Sequence, residues 1–311
     1  MKSLIKLTLF LLLFGTISCE RQGYAVLRGY AQGGTYTVKY NTSGTKISPD
    51  KVQEAIEGIL TDIDTTLSGY NRGSILSRRN AGESVVTNAT FDKVLKLSEE
   101  FKEMTSGAFD HTSAPLFDVW GFGFTRDSLP SSEAIELAME ESRQGNKMNF
   151  NAIAQGFTCD AVASYLHSLG VRDMLVDFGE IFCEGLNPSG KGWTIGIDTP
   201  EDGNDIPGKS ISGIWISDGN AHGIVTSGNY RKYYIHDGRK YSHTIDPRTG
   251  FPVTHNLLSA SVISPTAALS DALATAFMVM GLDQAREYVE MHNGIEACLI
   301  ASDTTWISKG F

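Results

Sequence analysis

An α+β fold, a mixed and largely antiparallel sheet with helices packed on it, is the class this sequence predicts. Runs of period-2 character and runs of helical spacing both occur, and they mix without a βαβ rhythm. Hydrophobic residues make up 41% of the 311 residues and charged ones 20%, enough apolar material for a sizeable core. Repeats, low-complexity segments and linkers are absent from the sequence, so one domain over 25–311 is expected.

Lys2 and Lys6 precede the short apolar run Leu7 to Phe14, the pattern of a signal peptide over 1–18. Gly15-Thr16-Ile17-Ser18-Cys19 then resembles a bacterial lipoprotein cleavage site, with Thr16 where Leu is usual. The expectation is a Cys19-lipidated tether over 19–24 and a protein of the bacterial cell envelope, anchored to a membrane and facing the periplasm. The remaining cysteines, Cys159, Cys183 and Cys298, have no pairing or metal-like spacing and read as small core residues. The formal net charge is −10, which argues against nucleic acid as a partner. An anionic cofactor can still bind such a chain through a bridging cation.

Residues 24–40 alternate as strands around Gly33-Gly34, a hairpin corner. Ser48 and Pro49 supply an N-cap and an N1 residue for a helix carrying Val52, Ile56, Ile59, Leu60, Ile63 and Leu67. Tyr70 lies in the loop beyond it. A second helix is expected over 90–104, a third over 131–141 and a fourth over 157–169. An aromatic-rich stretch at 115–124 and a buried strand at 175–179 fall between them. Strands follow near 193–197, 210–217, 223–226 and 258–263. Helices at 267–281 and 283–292 and two short strands complete the chain.

The chemistry concentrates in Ser242-His243-Thr244-Ile245-Asp246-Pro247-Arg248-Thr249-Gly250. Pro247 and Gly250 fix a rigid corner that carries a base, an acid, a guanidinium and hydroxyls. Asp246 and Arg248 alone fit a solvated turn pair, whereas His243 ends a strand-like run where binding groups tend to sit. Asp271 and Thr275 share a helix face, with Ala268 a turn earlier. These oxygens suit a hard cation such as Mg²⁺, although an Asp on an apolar helix also serves as a local cap.

Gly34-Thr35-Tyr36, Leu67-Ser68-Gly69-Tyr70 with Ser74, Ser106 to Thr112, Ala152-Ile153-Ala154-Gln155-Gly156 with Asp160, Thr226 to Tyr230, His243 to Gly250 and Asp271-Ala272-Leu273-Ala274-Thr275 together resemble the ApbE family, from about Gly33 to the C-terminus. Members are FAD:protein FMN transferases, often periplasmic lipoproteins. They cleave the FAD pyrophosphate, join FMN by a phosphoester to Thr or Ser of a target protein, and release AMP. The resemblance implies a Mg²⁺ site at Ala152 (through its carbonyl), Ala268, Asp271 and Thr275. It implies FAD contacts at Gly33, Tyr70, Ala108, Phe109, Asp110, Asn149, Gln155 and Ile245. The implied partner is a flavinylated electron-transfer membrane protein subunit. Catalytic candidates are His243, as base or as an orienting hydrogen-bonding group, and Asp246. Tyr70 and Phe109 offer aromatic faces, with core packing the alternative for Phe109.

Three features depart from the family pattern. Gln155 stands where many relatives have Lys, Gly179 is single where Gly-Gly is common, and the connection before Met148 is short. An FAD pyrophosphatase and a non-catalytic FAD-binding lipoprotein are therefore the competing readings.

Overall fold

Apolar–polar alternation from Tyr24 to Asn41 closes into a hairpin of β1 (Tyr24–Ala31) and β2 (Gly34–Asn41). Its two-residue turn, Gln32-Gly33, has φ of 51° and 82°, the left-handed geometry that matches strand twist. The structure, a computed structural model, describes residues 23–122, 129–201, 203–204, 206, 208–229, 233–236 and 239–311. The expected leader, Cys19 and most of its tether lie outside them.

In chain order follow α1 (Pro49–Leu67), α2 (Ile75–Asn80), α3 (Ala89–Met104), α4 (Ala114–Val119), α5 (Ser132–Gln144) and α6 (Ala154–Ser168). Then come β3 (Met174–Asp177), β4 (Ile181–Glu184), β5 (Thr194–Asp198), β6 (Ile211–Ile216), β7 (His222–Gly228), β8 (Tyr233–His236), β9 (Arg239–Ser242), β10 (Ile245–Asp246), β11 (Phe251–Pro252) and β12 (Leu257–Ser264). The chain ends with α7 (Ala267–Met280), α8 (Leu282–Met291), β13 (Glu296–Ala301) and β14 (Thr305–Ile307).

Eight strands form one sheet in the order β1-β2-β3-β4-β7-β12-β13-β14, every pair antiparallel. Val176, Phe182, Val225 and Val262 face the layer of α1, α6, α7 and α8. Leu175, Cys183, Ile224 and Ile263 face the opposite way, onto Trp193, Ile195, Ile197 and Trp215 of the β5–β6 ribbon. The α+β expectation holds.

Several elements differ from expectation, four of them near the site or the sheet centre. Helix α6 starts at Ala154 rather than 157, because Gly156 in its first turn conceals the start. Helices α2 and α4 are six residues long, too short for a periodic signal. Strand β4 is four residues and takes its partners from β3 and β7. Cys159, Cys183 and Cys298 are free and buried, and burial raises each thiol pKa.

Candidate active site

The N-termini of α6 and α7 meet in close contact in the helix layer. A Cβ on Gly156 would lie 2.3 Å from the Ala267 carbonyl oxygen, and one on Gly223 of β7 2.3 Å from the Ala267 nitrogen. Only glycine lets α6 and β7 close on the start of α7. Asp160 of α6 then accepts from Ala267 N at 2.8 Å and Ala268 N at 2.9 Å. In return Asp271 Oδ2 of α7 accepts from Gly156 N at 3.1 Å.

That exchange shapes the expected metal ligands. Gly156 N–H is the donor that would close a helical bond to the Ala152 carbonyl. Spent on Asp271, it leaves that carbonyl without a hydrogen bond among the described residues. Thr275 Oγ1 makes no hydrogen bond among the described residues either, unlike Thr65, Thr105 and Thr158, which each bond back to the carbonyl four residues earlier. Asp271 is 4% exposed. Burial, with Asp160 nearby, raises its carboxyl to about 7, and burial raises Asp160 to about 6 against its two N–H donors. A buried carboxylate with one hydrogen bond, an unspent carbonyl and an unspent hydroxyl fit a small oxygen-seeking cation. Ala268, the second residue of α7, supplies its N–H to Asp160. Among the described residues no cluster of three His, Cys, Asp or Glu is placed to hold a metal; this set has one carboxylate.

Gln155, in the same turn, donates from Nε2 to the Phe178 carbonyl at 2.9 Å and lies 3.3 Å from where a Gly179 Cβ would be. Two of the departures from the family pattern are thus neighbours. The β1–β2 turn leans onto α6 as well, through Gln32 Nε2 to Thr158 Oγ1 at 2.7 Å, which brings Gly33 beside this end of the helix.

A second group of loops connects to the first through backbone ties. Asn80 pairs with both backbone groups of Met148, and Asn149 N donates to the His111 carbonyl at 2.7 Å. Asp110 is held by Lys102 at 2.7 Å and by the backbone and hydroxyl of Thr112. Gly107 lies 3.8 Å, measured from a built Cβ, from Arg248 Cγ, so the Ser106–Thr112 loop meets the His243–Gly250 stretch. Ala108 and Phe109 are buried, and Phe109 packs edge-on against Phe101. Phe109 is a core side chain with no open face for stacking. Tyr70, 72% exposed, presents its ring to solvent.

Within the His243 stretch the structure assigns Asp246 to its own turn. Arg248 donates to it three times at 2.9 Å, from N, Nε and Nη2, and both carboxylate oxygens are committed. This pairing raises the Arg248 pKa. Ile245 is buried in β10, and Trp120 Nε1 ties down the Gly250 carbonyl at 2.8 Å. His243 is half-buried, its ring edge-on to Phe122 at 6.4 Å. Asn229 was not among the expected site residues. Its Oδ1 accepts from Ser242 Oγ and Thr244 Oγ1, each at 2.6 Å, clamping both neighbours of His243. Its place in the Thr226–Tyr230 motif was the available signal. Asp160 was likewise visible only as a motif member with no role attached.

An antiparallel sheet backed by helices, with a one-carboxylate oxygen site at a helix–helix contact and a histidine loop beside a glycine-turned acidic loop, defines one class of α+β protein. The chain belongs to the ApbE family, whose profile matches residues 33–299. The FAD:protein FMN transferase of Haemophilus influenzae is 32% identical, over 94% of this chain and 91% of that one. The Escherichia coli K12 protein of the same name is 32% identical over 92% and 88%. The apo Pseudomonas stutzeri flavinyl transferase ApbE superposes with a TM-score of 0.81 at 32% identity, covering 93% of this chain and 95% of that one.

Proposed function

We propose that this chain is a Mg²⁺-dependent FAD:protein FMN transferase of the bacterial envelope. The observation that carries the reading is the oxygen set of the unspent Ala152 carbonyl and Thr275 hydroxyl beside the buried, singly hydrogen-bonded Asp271, in a chain whose relatives carry that name. Ala152, Asp271 and Thr275 would hold the ion, with Ala268 beside them, and Mg²⁺ there would neutralise phosphoryl oxygens. In the reaction a Thr or Ser hydroxyl of the target forms a new oxygen–phosphorus bond to the FMN phosphate. The bond from that phosphorus to the bridging oxygen breaks, AMP departs with the electron pair, and the hydroxyl proton passes to a base. His243 is the base in this reading, held from both sides by Asn229. Asp246 is occupied by Arg248 and serves the loop. Tyr70 supplies an aromatic face for FAD. Asp110, Asn149, Gln155, Gly33 and Ile245 shape its surroundings. The partner is an electron-transfer membrane protein subunit, reached from a lipid anchor at Cys19.

The test combines purified protein, FAD, Mg²⁺ and a target domain with an acceptor Thr. Flavin fluorescence on the target band with equimolar AMP is expected. FMN and AMP without labelled target would make the chain a pyrophosphatase, and intact bound FAD would make it a carrier.

A further inference from the structure

The β5–β6 ribbon is two-faced. Ile195, Ile197 and Trp215 point into the sheet. On the outer face the register places Thr194 beside Ile216 and Gly196 beside Ile214, with Ile211 continuing the line. Ile211, Ile214 and Ile216 are 49%, 64% and 57% exposed. A register shift at Ile197/Asp198 brings Ile211 over Gly196, on the face of Ile214 and Ile216, so the three form one apolar stripe that water solvates poorly. Scattered single hydrophobics need no explanation, but an aligned row does.

The start of the described chain lies against this ribbon. Tyr24 Oη donates to the Leu186 carbonyl at 2.7 Å, and its ring meets Trp193, the residue before β5, edge-on at 6.3 Å. Cys19 precedes Tyr24 by five residues, a reach of at most about 17 Å. An acyl chain on Cys19 would therefore be attached within that reach of the ribbon end at Trp193, close enough for the outer stripe to share its bilayer surface. The metal-site helices α6 and α7 lie on the other side of the sheet. Lys191 and Lys209 are exposed near the ribbon ends, but so are Glu201 and Asp218, so apolar burial, with little net charge attraction, is the driving term.

We propose that the outer face of the β5–β6 ribbon rests in the bilayer surface beside the lipid anchor and turns the α6–α7 site away from the membrane. This rests on the lipid-anchor reading of Cys19. The lipidated full chain, reconstituted in phosphatidylethanolamine–phosphatidylglycerol vesicles, provides the test. An environment-sensitive fluorophore is placed at Ile214→Cys or, as control, at exposed Glu54→Cys on α1. The three domain cysteines are buried and stay unlabelled in the folded protein. Mass spectrometry reads acylation of Cys19 separately. The expected result is a blue-shifted label at 214, quenched several-fold more by doxyl lipids than the label at 54. A label at 214 that stays in water while Cys19 is acylated overturns the docking and leaves the anchor intact. An unacylated Cys19 in the membrane fraction overturns the anchor and the docking together. A blue shift at 214 without vesicles, growing with protein concentration, shows a second copy of the chain on this face and overturns the bilayer assignment.

Discussion

Asp160 and Asp271 each cap the other's helix: Asp160 on α6 takes the first two N–H groups of α7, and Asp271 on α7 takes an N–H of the first turn of α6. Two carboxylates are thereby drawn into one buried region, each offset by helix N-terminal donors. The arrangement costs desolvation, seen in the raised pKa of both groups. A cation bound at Asp271 would offset that cost, which ties the stability of the helix junction to metal occupancy.

Asp160→Asn tests the structural half of this relationship. The amide keeps one acceptor and turns an N–H₂ group toward the other backbone donor. At pH 4, where the wild-type carboxyl is largely protonated and carries no charge penalty, stability should fall by about 1–3 kcal/mol, read as a lower urea midpoint at unchanged slope. A midpoint equal to that of the wild type would mean the two N–H bonds carry no net stability.

The pH dependence has a definite sign. Both carboxyls have folded pKa values above 3.8, reaching about 6 and about 7. Their contribution is fully present below about pH 4 and is lost as pH rises through about 7. Metal-free protein should therefore lose melting temperature between pH 4 and pH 7, relative to Asp271→Asn. Millimolar Mg²⁺ should restore it at pH 8 in the wild type and leave the variant unchanged. Equal Mg²⁺ responses in the two proteins would remove Asp271 from the metal site.

Two glycines in helices give opposite outcomes. Gly156→Ala places a methyl 2.3 Å from the Ala267 carbonyl oxygen and should push α7 away from α6. It is expected to cost over ~2 kcal/mol and weaken Mg²⁺ binding. Gly58→Ala on α1 meets nothing within 4 Å and should stabilise by about 0.5–1 kcal/mol. Urea titration of both variants checks the pair.

This glycine contrast also shows what the sequence could convey. The long helices were legible because Val52, Ile56, Leu60 and Ile63 recur at helical spacing and are buried together. The Asp271–Thr275 helix face and the His243 loop were legible as motifs. Gly156 obscured the start of α6 because its low helix propensity is overridden by packing that the sequence does not display. Asp246 was open to two readings, a catalytic candidate or half of a turn pair with Arg248, and side-chain direction, which the sequence does not display, pairs it with Arg248. Phe109 was open to stacking or to core packing, and it is buried against Phe101. Asn80 and Asn229 act over 68 and 13–15 positions of sequence separation, beyond any local pattern.

Asn229 separates positioning from proton transfer at His243. Removing the imidazole with His243→Ala should slow single-turnover FMN transfer by about 10²–10⁴-fold and change FAD affinity only slightly, if the ring is the base. A large affinity loss with a preserved rate would make it an orienting group. Asn229→Ala leaves the ring in place but releases Ser242 and Thr244, which both donate to Asn229 Oδ1 at 2.6 Å. The transfer rate should then fall less than in His243→Ala, with FAD affinity again nearly constant, because the base is present but no longer held toward the acceptor hydroxyl. The double variant should be no slower than His243→Ala alone, since a positioning group has nothing to position once the ring is gone. Single-turnover rates for the two single variants and the double decide it. Additive losses would show that Asn229 acts on the reaction independently of His243.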